Sequence, residues 1–224
     1  MLFASQMAPY DTGEVTLAKS VLTQLQPGML CLADRQFFGF ELWRTAHAGG
    51  ADLLWRIKKN MRLAREQDLA DGSYLSRIYP SERDWRHQSN GVLVRVIDYR
   101  LEGVAEAEPI YRLLTTLLDP ALAPAAELAA LYHERWEIET ALDELKTHLR
   151  GARIVLRSKT PDLVRQEFYG LMMAHFAIRS LIHEAALKAA EDPDRLSFIH
   201  AVRVIRRKLP AAVAVPPSAE GCLP

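Results

Sequence analysis

Apolar positions recur at helical spacing near the start of the chain. Val15, Leu17, Val21, Leu22 and Leu25 within EVTLAKSVLTQLQ predict a helix over 14–26, closed by the Pro27-Gly28 breaker. MLCLA at 29–33 is a short unbroken apolar run, which suits a strand buried on both faces; it ends at Asp34. FFGFELWRTAHAGG then reads as a helix stopped by Gly49-Gly50, and DLLWRIKK as a second strand. Strand, helix and strand at this spacing predict a parallel α/β unit. From about 61 to 118 the pattern changes. YLSRIY, VLVRVIDYRLE and IYRLLTTLL alternate as strands between the turn-rich pieces DGS and SERDWRHQSNG. Pro120 and Pro124 precede a long helix expected at 125–149. Thr160-Pro161-Asp162 opens another helix whose thirty apolar-rich residues suit a core position. DPDRLSFIHAVRVIRRK predicts one more helix, and the remainder from about 209 reads as disordered. The resulting organisation is an α/β unit at 1–60, a β-rich segment at 61–118, helices at 119–208 and a tail at 209–224.

The segment LYHERWEIETALDELKTHLRG carries the densest chemistry. Tyr132, Arg135, Glu139 and Lys146 stand at successive offsets of 3, 4 and 7. On a continuous helix turning about 100° per residue, all four fall within roughly 60° of one another. That stripe offers a carboxylate suited to a divalent metal, with two cations and a phenol suited to phosphate. An apolar stripe of Leu131, Ile138, Leu142, Leu145 and Leu149 lies roughly 70–80° away. Geometry alone leaves a second description open, in which these are solvated charge pairs flanking an apolar face.

Composition narrows the classes. The 224 residues are 49% hydrophobic and 25% charged, an ordinary globular mix, and no apolar run is long enough to span a bilayer. The start, MLFASQMAPY, lacks the basic and apolar regions of a signal peptide. Cys31 and Cys222 have no metal-type partners in the sequence, so both are expected as free thiols in a reducing cytoplasm. Formal net charge is zero, which counts against a uniformly basic nucleic-acid protein. The charge is nonetheless clustered. Arg56, Lys58, Lys59, Arg62 and Arg65 form one basic stretch. Arg150, Arg153, Arg157, Lys159 and Arg165 form a second, and Arg203, Arg206, Arg207 and Lys208 a third; such stretches can steer a polyanion. The histidines show no zinc spacing, and neither a nucleophile elbow nor a phosphate-cradling glycine loop is present.

Tyr-x2-Arg-x3-Glu-x6-Lys resembles the signature of DDE transposases from bacterial insertion sequences, the insertion-sequence-four family, at all four positions. LADRQFFGFELW resembles that family's segment bearing the second catalytic aspartate, which maps to Asp34, and LRSKTPDLVRQEFYGLMMAH resembles the helix after the catalytic glutamate. The resemblance covers most of 9–209. It implies a partial RNase H-like α/β fold with a β-rich insertion between the second acidic strand and the glutamate-bearing helix. It also implies metal-assisted phosphodiester hydrolysis and strand transfer on DNA at transposon ends. Two divalent ions, normally magnesium, would be held by carboxylates, among them Asp34 and Glu139, while Tyr132, Arg135 and Lys146 would contact phosphate. Trp85, in a polar segment, is the insertion aromatic that could stack on an unpaired base.

The resemblance departs in one place. A DDE site uses three carboxylates, the first on a strand well before the second. Only 33 residues precede Asp34, and Asp11 and Glu14 are the acids among them; Asp11, in YDTGE, suits a turn or cap. The expectation is therefore a truncated transposase lacking the first catalytic aspartate, with little or no cleavage by this chain alone. The alternative is a non-catalytic DNA-binding or dimerising remnant that associates with itself or with an intact transposase. An α/β metabolic protein with no nucleic-acid role has no positive support.

Overall fold

The structure is a computed structural model describing residues 4–9, 11–101, 108–149, 156 and 158–212, without the side chains of 136, 137 and 209–212. The expectations for Cys222, for Arg150, Arg153 and Arg157 and for the tail from 213 lie outside the described residues. The chain divides into two compact units, one of residues 4–137 and one from residue 138 onward.

The first unit contains α1 (Glu14–Leu22), β1 (Leu30–Ala33), α2 (Phe40–Ala48), β2 (Asp52–Ile57), β3 (Gln67–Asp68), β4 (Tyr74–Ile78), α3 (Glu82–His87), β5 (Val92–Tyr99), β6 (Tyr111–Thr115) and α4 (Ala125–His133). Its six strands form one mixed sheet in the order β1-β2-β6-β5-β4-β3. β1 and β2 are parallel, with Leu30 opposite Asp52 and Ala33 opposite Trp55, as strand–helix–strand patterning predicts. The other pairs are antiparallel, so the strands from 67 to 115 extend the sheet that β1 and β2 begin.

The apolar residues of β2, Leu53, Leu54, Trp55 and Ile57, serve both faces of the strand. Leu53, Trp55 and Ile57 join Leu42, Trp43 and Ala46 of α2 in one core layer. Leu54 turns the other way, to Leu128 and Tyr132 of α4. Helices thus cover both faces of this strand. β1 differs from expectation. Its four residues are all half-buried, because among the described residues it has a single neighbouring strand and forms an edge. α1 also stops earlier than the pattern predicts, at Leu22. The double glycine after α2 is demanded by close approach: a Cβ on Gly49 would sit 2.3 Å from the Leu25 carbonyl oxygen, and Gly50 has φ +81°. SERDWRHQSNG, expected as a turn, contains α3, capped by the Ser81 hydroxyl accepting from the Asp84 N–H at 3.1 Å.

The most demanding residue of this unit is Arg95, on β5, whose side chain has no solvent exposure. Its Nε donates to Ser73 Oγ at 2.8 Å, and Nη1 to the carbonyls of Ala123 (2.7 Å) and Leu117 (3.2 Å). Nη2 donates to Asp71 Oδ2. The same Asp71 oxygen accepts from the Ala125 N–H at 2.8 Å, the first residue of α4. Pro124, preceding that helix, offers no side-chain cap, so a carboxylate from the β-rich segment supplies it. Burial pushes the Asp71 carboxyl upward, but bonds from Ser73 and Ala125 and the Arg95 charge outweigh it and hold it below its ordinary value.

The single helix expected over 125–149 is broken. α4 ends at His133, where Glu134 N–H and Arg135 N–H bond to Leu131 O (3.1 Å) and Tyr132 O (3.2 Å), a tightening to i→i−3. α5 (Trp136–Asp143) restarts the helix, and the division between the units falls within it. A wider π-helical segment, Glu144–Leu149, follows directly. The second unit continues with α6 (Pro161–Ala189), a 3-10 turn at Pro193–Arg195 and α7 (Phe198–Ala212). Ile178 and Ile182 of α6 pack with Phe198 and Val202 of α7, with Leu149 against them. Glu144 is buried; it accepts from Arg179 at Oε1 (2.5 Å) and Oε2 (3.0 Å) and lies 2.9 Å from His175 Nε2. The histidine is thus a packed partner of a carboxylate. α6 is only partly a core helix, since Tyr169, Met173, Phe176, Leu181 and Leu187 remain exposed. Among the described residues no helix is long and apolar enough to cross a membrane.

Removing Asp71 leaves a fully buried guanidinium without its carboxylate and α4 without its cap. Asp71→Ala is expected to cost about 3 kcal/mol or more, whereas Arg95→Met, which removes the buried charge itself, costs less. Urea midpoints of the two variants check the order.

Candidate nucleic-acid site

Asp34 is the first residue beyond β1. It is half-buried, and its Oδ1 accepts from the Arg35 N–H at 2.6 Å. The carbonyl just before it, Ala33 O, accepts a hydrogen bond from the Tyr132 hydroxyl at 3.2 Å, ninety-nine residues along the chain. Tyr132 occupies the last turn of α4 and is 5% exposed. Burial holds its phenol well above the ordinary value. Arg135 and Arg56 pull in the opposite direction, and the Asp34 charge adds to the rise. Asp34, Tyr132, Arg135 and Arg56 are therefore electrostatic neighbours at the C-terminal ends of β1 and β2.

The surroundings are aromatic and cationic. Arg135, in the turn after α4, has its Cζ 5.8 Å from the Tyr132 ring centroid. Arg56 lies over the Tyr111 ring at 4.6 Å, within cation–π range. Tyr111 stacks on Tyr99 with centroids 5.3 Å apart, and His133 meets Tyr99 edge-on at 5.7 Å. Burial pushes the Tyr99 phenol up to about 12. Glu108 Oε1 bridges two guanidiniums, at 2.9 Å from Arg35 Nη1 and 2.7 Å from Arg56 Nη2. Burial raises the Glu108 carboxyl, but the hydrogen bonds and charges of Arg56 and Arg35 prevail and hold it below the usual carboxylate range.

Two of the five residues singled out from the sequence belong to the second unit. Glu139 is exposed on α5, and Lys146 is exposed within the π-helical segment. The helical projection that aligned all four signature residues does not carry through, because the turn at Glu134–Arg135 and the π segment both change the angular step. The apolar stripe is corrected for the same reason: Leu145 is buried, while Ile138 and Leu142 are 55% and 42% exposed. Within the first unit the structure brings together Asp34, Tyr132 and Arg135. Among the described residues no group of three His, Cys, Asp or Glu side chains lies close enough together to hold a metal ion.

Residues 1–177 match the family described as the transposase DDE domain. The chain belongs to this family. It is also similar to the transposase InsG for insertion sequence element IS4 of Escherichia coli (strain K12), with 27% identity over 219 residues. That likeness covers 93% of this chain and 48% of the relative, so the chain spans about half the length of the curated relative it matches.

For a transposase DDE domain, the neighbourhood of Asp34 contains more than the sequence picked out. Arg56 appeared there only as one member of a basic stretch. Strand alternation turns it away from Trp55, and it lies within β2, whereas the exposed Lys58 and Lys59 follow the strand. Arg35 follows the aspartate directly, and Glu108, Tyr99, Tyr111 and His133 come from positions that no local spacing connects to it.

Tyr132→Phe removes the bond to Ala33 O and is expected to cost about 0.5–1.5 kcal/mol. The raised phenol favours the folded state while it stays protonated. Its contribution is complete below about pH 10, the unfolded value, and is lost as pH climbs above it. Stability of the wild type should therefore fall more steeply above about pH 10 than that of Tyr132→Phe, as read from unfolding midpoints across that range.

Proposed function

We propose that this chain is the part of an insertion-sequence transposase that handles DNA at a transposon end, within an RNase H-like frame. Asp34 and Glu139 are the proposed metal ligands, and Tyr132, Arg135 and Lys146 the proposed phosphate contacts. The observation that carries the proposal is the tie from the Tyr132 hydroxyl to Ala33 O, which sets the first residue of the Tyr-Arg-Glu-Lys signature beside the strand-end aspartate. Arg56 and Arg35 strengthen it, because they add two guanidiniums to the same strand ends. Guanidiniums suit phosphate through paired, charge-assisted hydrogen bonds, whereas Lys146 acts as a point charge.

Magnesium bound at such a site would supply Lewis-acid stabilisation of the oxygens at phosphorus. A DDE clamp uses three carboxylates, and the described side chains do not assemble a three-ligand group. Asp34 and Glu139 account for two acids. We propose that, with these two acids, the chain binds transposon-end DNA and cleaves it poorly or not at all by itself. Self-association or association with an intact transposase belongs to the same proposal.

Two measurements on duplexes carrying candidate transposon ends test it. Binding followed by fluorescence anisotropy should weaken roughly ten- to a hundredfold between about 50 and 200 mM salt, as expected for two to four phosphate contacts. Strand cleavage in magnesium should stay at background. Turnover that disappears in Glu139→Gln would instead establish an active enzyme, and binding insensitive to salt would count against a DNA partner.

A further inference from the structure

The structure points to Glu108 as an internal stand-in for a DNA phosphate: we propose that its carboxylate occupies the Arg35–Arg56 pair when DNA is absent and must leave for a phosphate to enter. The inference rests on the DNA assignment above and adds a competitor inside the same site.

Three observations support it. One carboxylate oxygen accepts from both guanidiniums, at 2.9 and 2.7 Å, an arrangement in which two cations converge on a single anion. A non-bridging phosphate oxygen satisfies the same donors, with a second oxygen available for a paired contact. The two arginines also flank the site. Arg35 adjoins Asp34, and Arg56 acts on Tyr132, whose hydroxyl holds the carbonyl preceding Asp34. An anion seated between them is therefore placed beside the strand-end aspartate. The third observation is the exposure gradient. Arg56 is 15% exposed and braced over Tyr111, so its guanidinium stays in place after losing a partner. The Glu108 and Arg35 side chains are 35% and 49% exposed, so their pairing is reachable by solvent and contributes little to stability. A firmly held cation facing a weakly held carboxylate is what exchange for a stronger anion requires. Glu108 also donates its backbone N–H to the Tyr111 hydroxyl at 3.3 Å, which keeps its main chain near the site after the side chain swings away.

Glu41 is a contrasting carboxylate: among the described residues it pairs with its helical neighbour Arg44. Neutralising Glu41 changes net charge by the same amount without emptying the Arg35–Arg56 pair.

The test is anisotropy titration of one labelled duplex with the full chain at several salt concentrations. Glu108→Gln should bind about three- to tenfold tighter than wild type at low salt, and its slope of log affinity against log salt should steepen by about one phosphate equivalent. Glu41→Gln should match wild type. Adding Arg35→Gln to Glu108→Gln should return the affinity to the wild-type level or below. If Glu108→Gln proves unstable by thermal melting, Glu108→Asp replaces it: the shorter carboxylate cannot bridge both guanidiniums, and the same tightening is expected. Glu108 variants that bind within twofold of wild type with unchanged slope overturn the proposal and leave the DNA assignment standing. Equal tightening by Glu41→Gln also overturns it, since the effect would then be one of overall charge. Absence of salt-sensitive binding by every protein overturns the DNA assignment and this inference together.

Discussion

A guanidinium sealed inside a sheet must find acceptors for its donors, and that requirement organises the first unit of this chain. Arg95 meets it with Ser73, Asp71 and two carbonyls from the loop before α4. Asp71 turns the solution into architecture, because its other bond caps α4. The strand β5, the turn before β4 and the start of the helix are thereby held at one point. A helix fixed at its first residue against the sheet has a fixed last turn as well, and that turn delivers Tyr132 to the carbonyl beside Asp34. The geometry at the strand ends thus depends on a charge buried elsewhere in the unit.

The strand ends themselves are electrostatically crowded. Arg35 and Arg56 converge on Glu108, Arg135 lies against the Tyr132 ring, and Tyr99, Tyr111 and His133 pack around them. Neutral phenols suit this setting. Tyr99 and Tyr132 both keep their protons well beyond neutral pH because burial penalises the phenolate. The site therefore presents cations that can exchange partners on a frame whose hydroxyls do not change charge. The second unit uses a related device at Glu144, a buried carboxylate held by Arg179 and His175 where the helix widens into its π segment.

Much of the fold was legible along the chain. The unbroken apolar run of β1, its parallel pairing with β2, the strands β4 to β6 and the Thr-Pro-Asp entry to α6 follow from periodicity and breakers. The Tyr-Arg-Glu-Lys spacing pointed to a family, and membership of the transposase DDE-domain family bears that recognition out. The helix over 125–149 was misjudged because its pattern is amphipathic throughout. Propensity does not register a turn tightened at 134–135 or a π segment beginning at a buried carboxylate. The half-burial of β1 was missed for a comparable reason: an apolar run specifies a strand but not how many neighbours it will have.

Sequence by itself determined what is local or covalent: element order, the spacing of the signature residues, and the family those residues mark. These depend on residue identity and short-range periodicity, which a linear chain displays in full. Tertiary structure alone decided which charges meet. Glu108 reaches Arg35 across seventy-three residues, and Tyr132 reaches Ala33 across ninety-nine. Arg56 and Arg95 are both arginines on strands, yet one lines a solvent-reachable site and the other has no exposure. Burial, and with it the energy of every such charge, is set by the atoms that folding brings around it, and those come from positions that no local pattern connects.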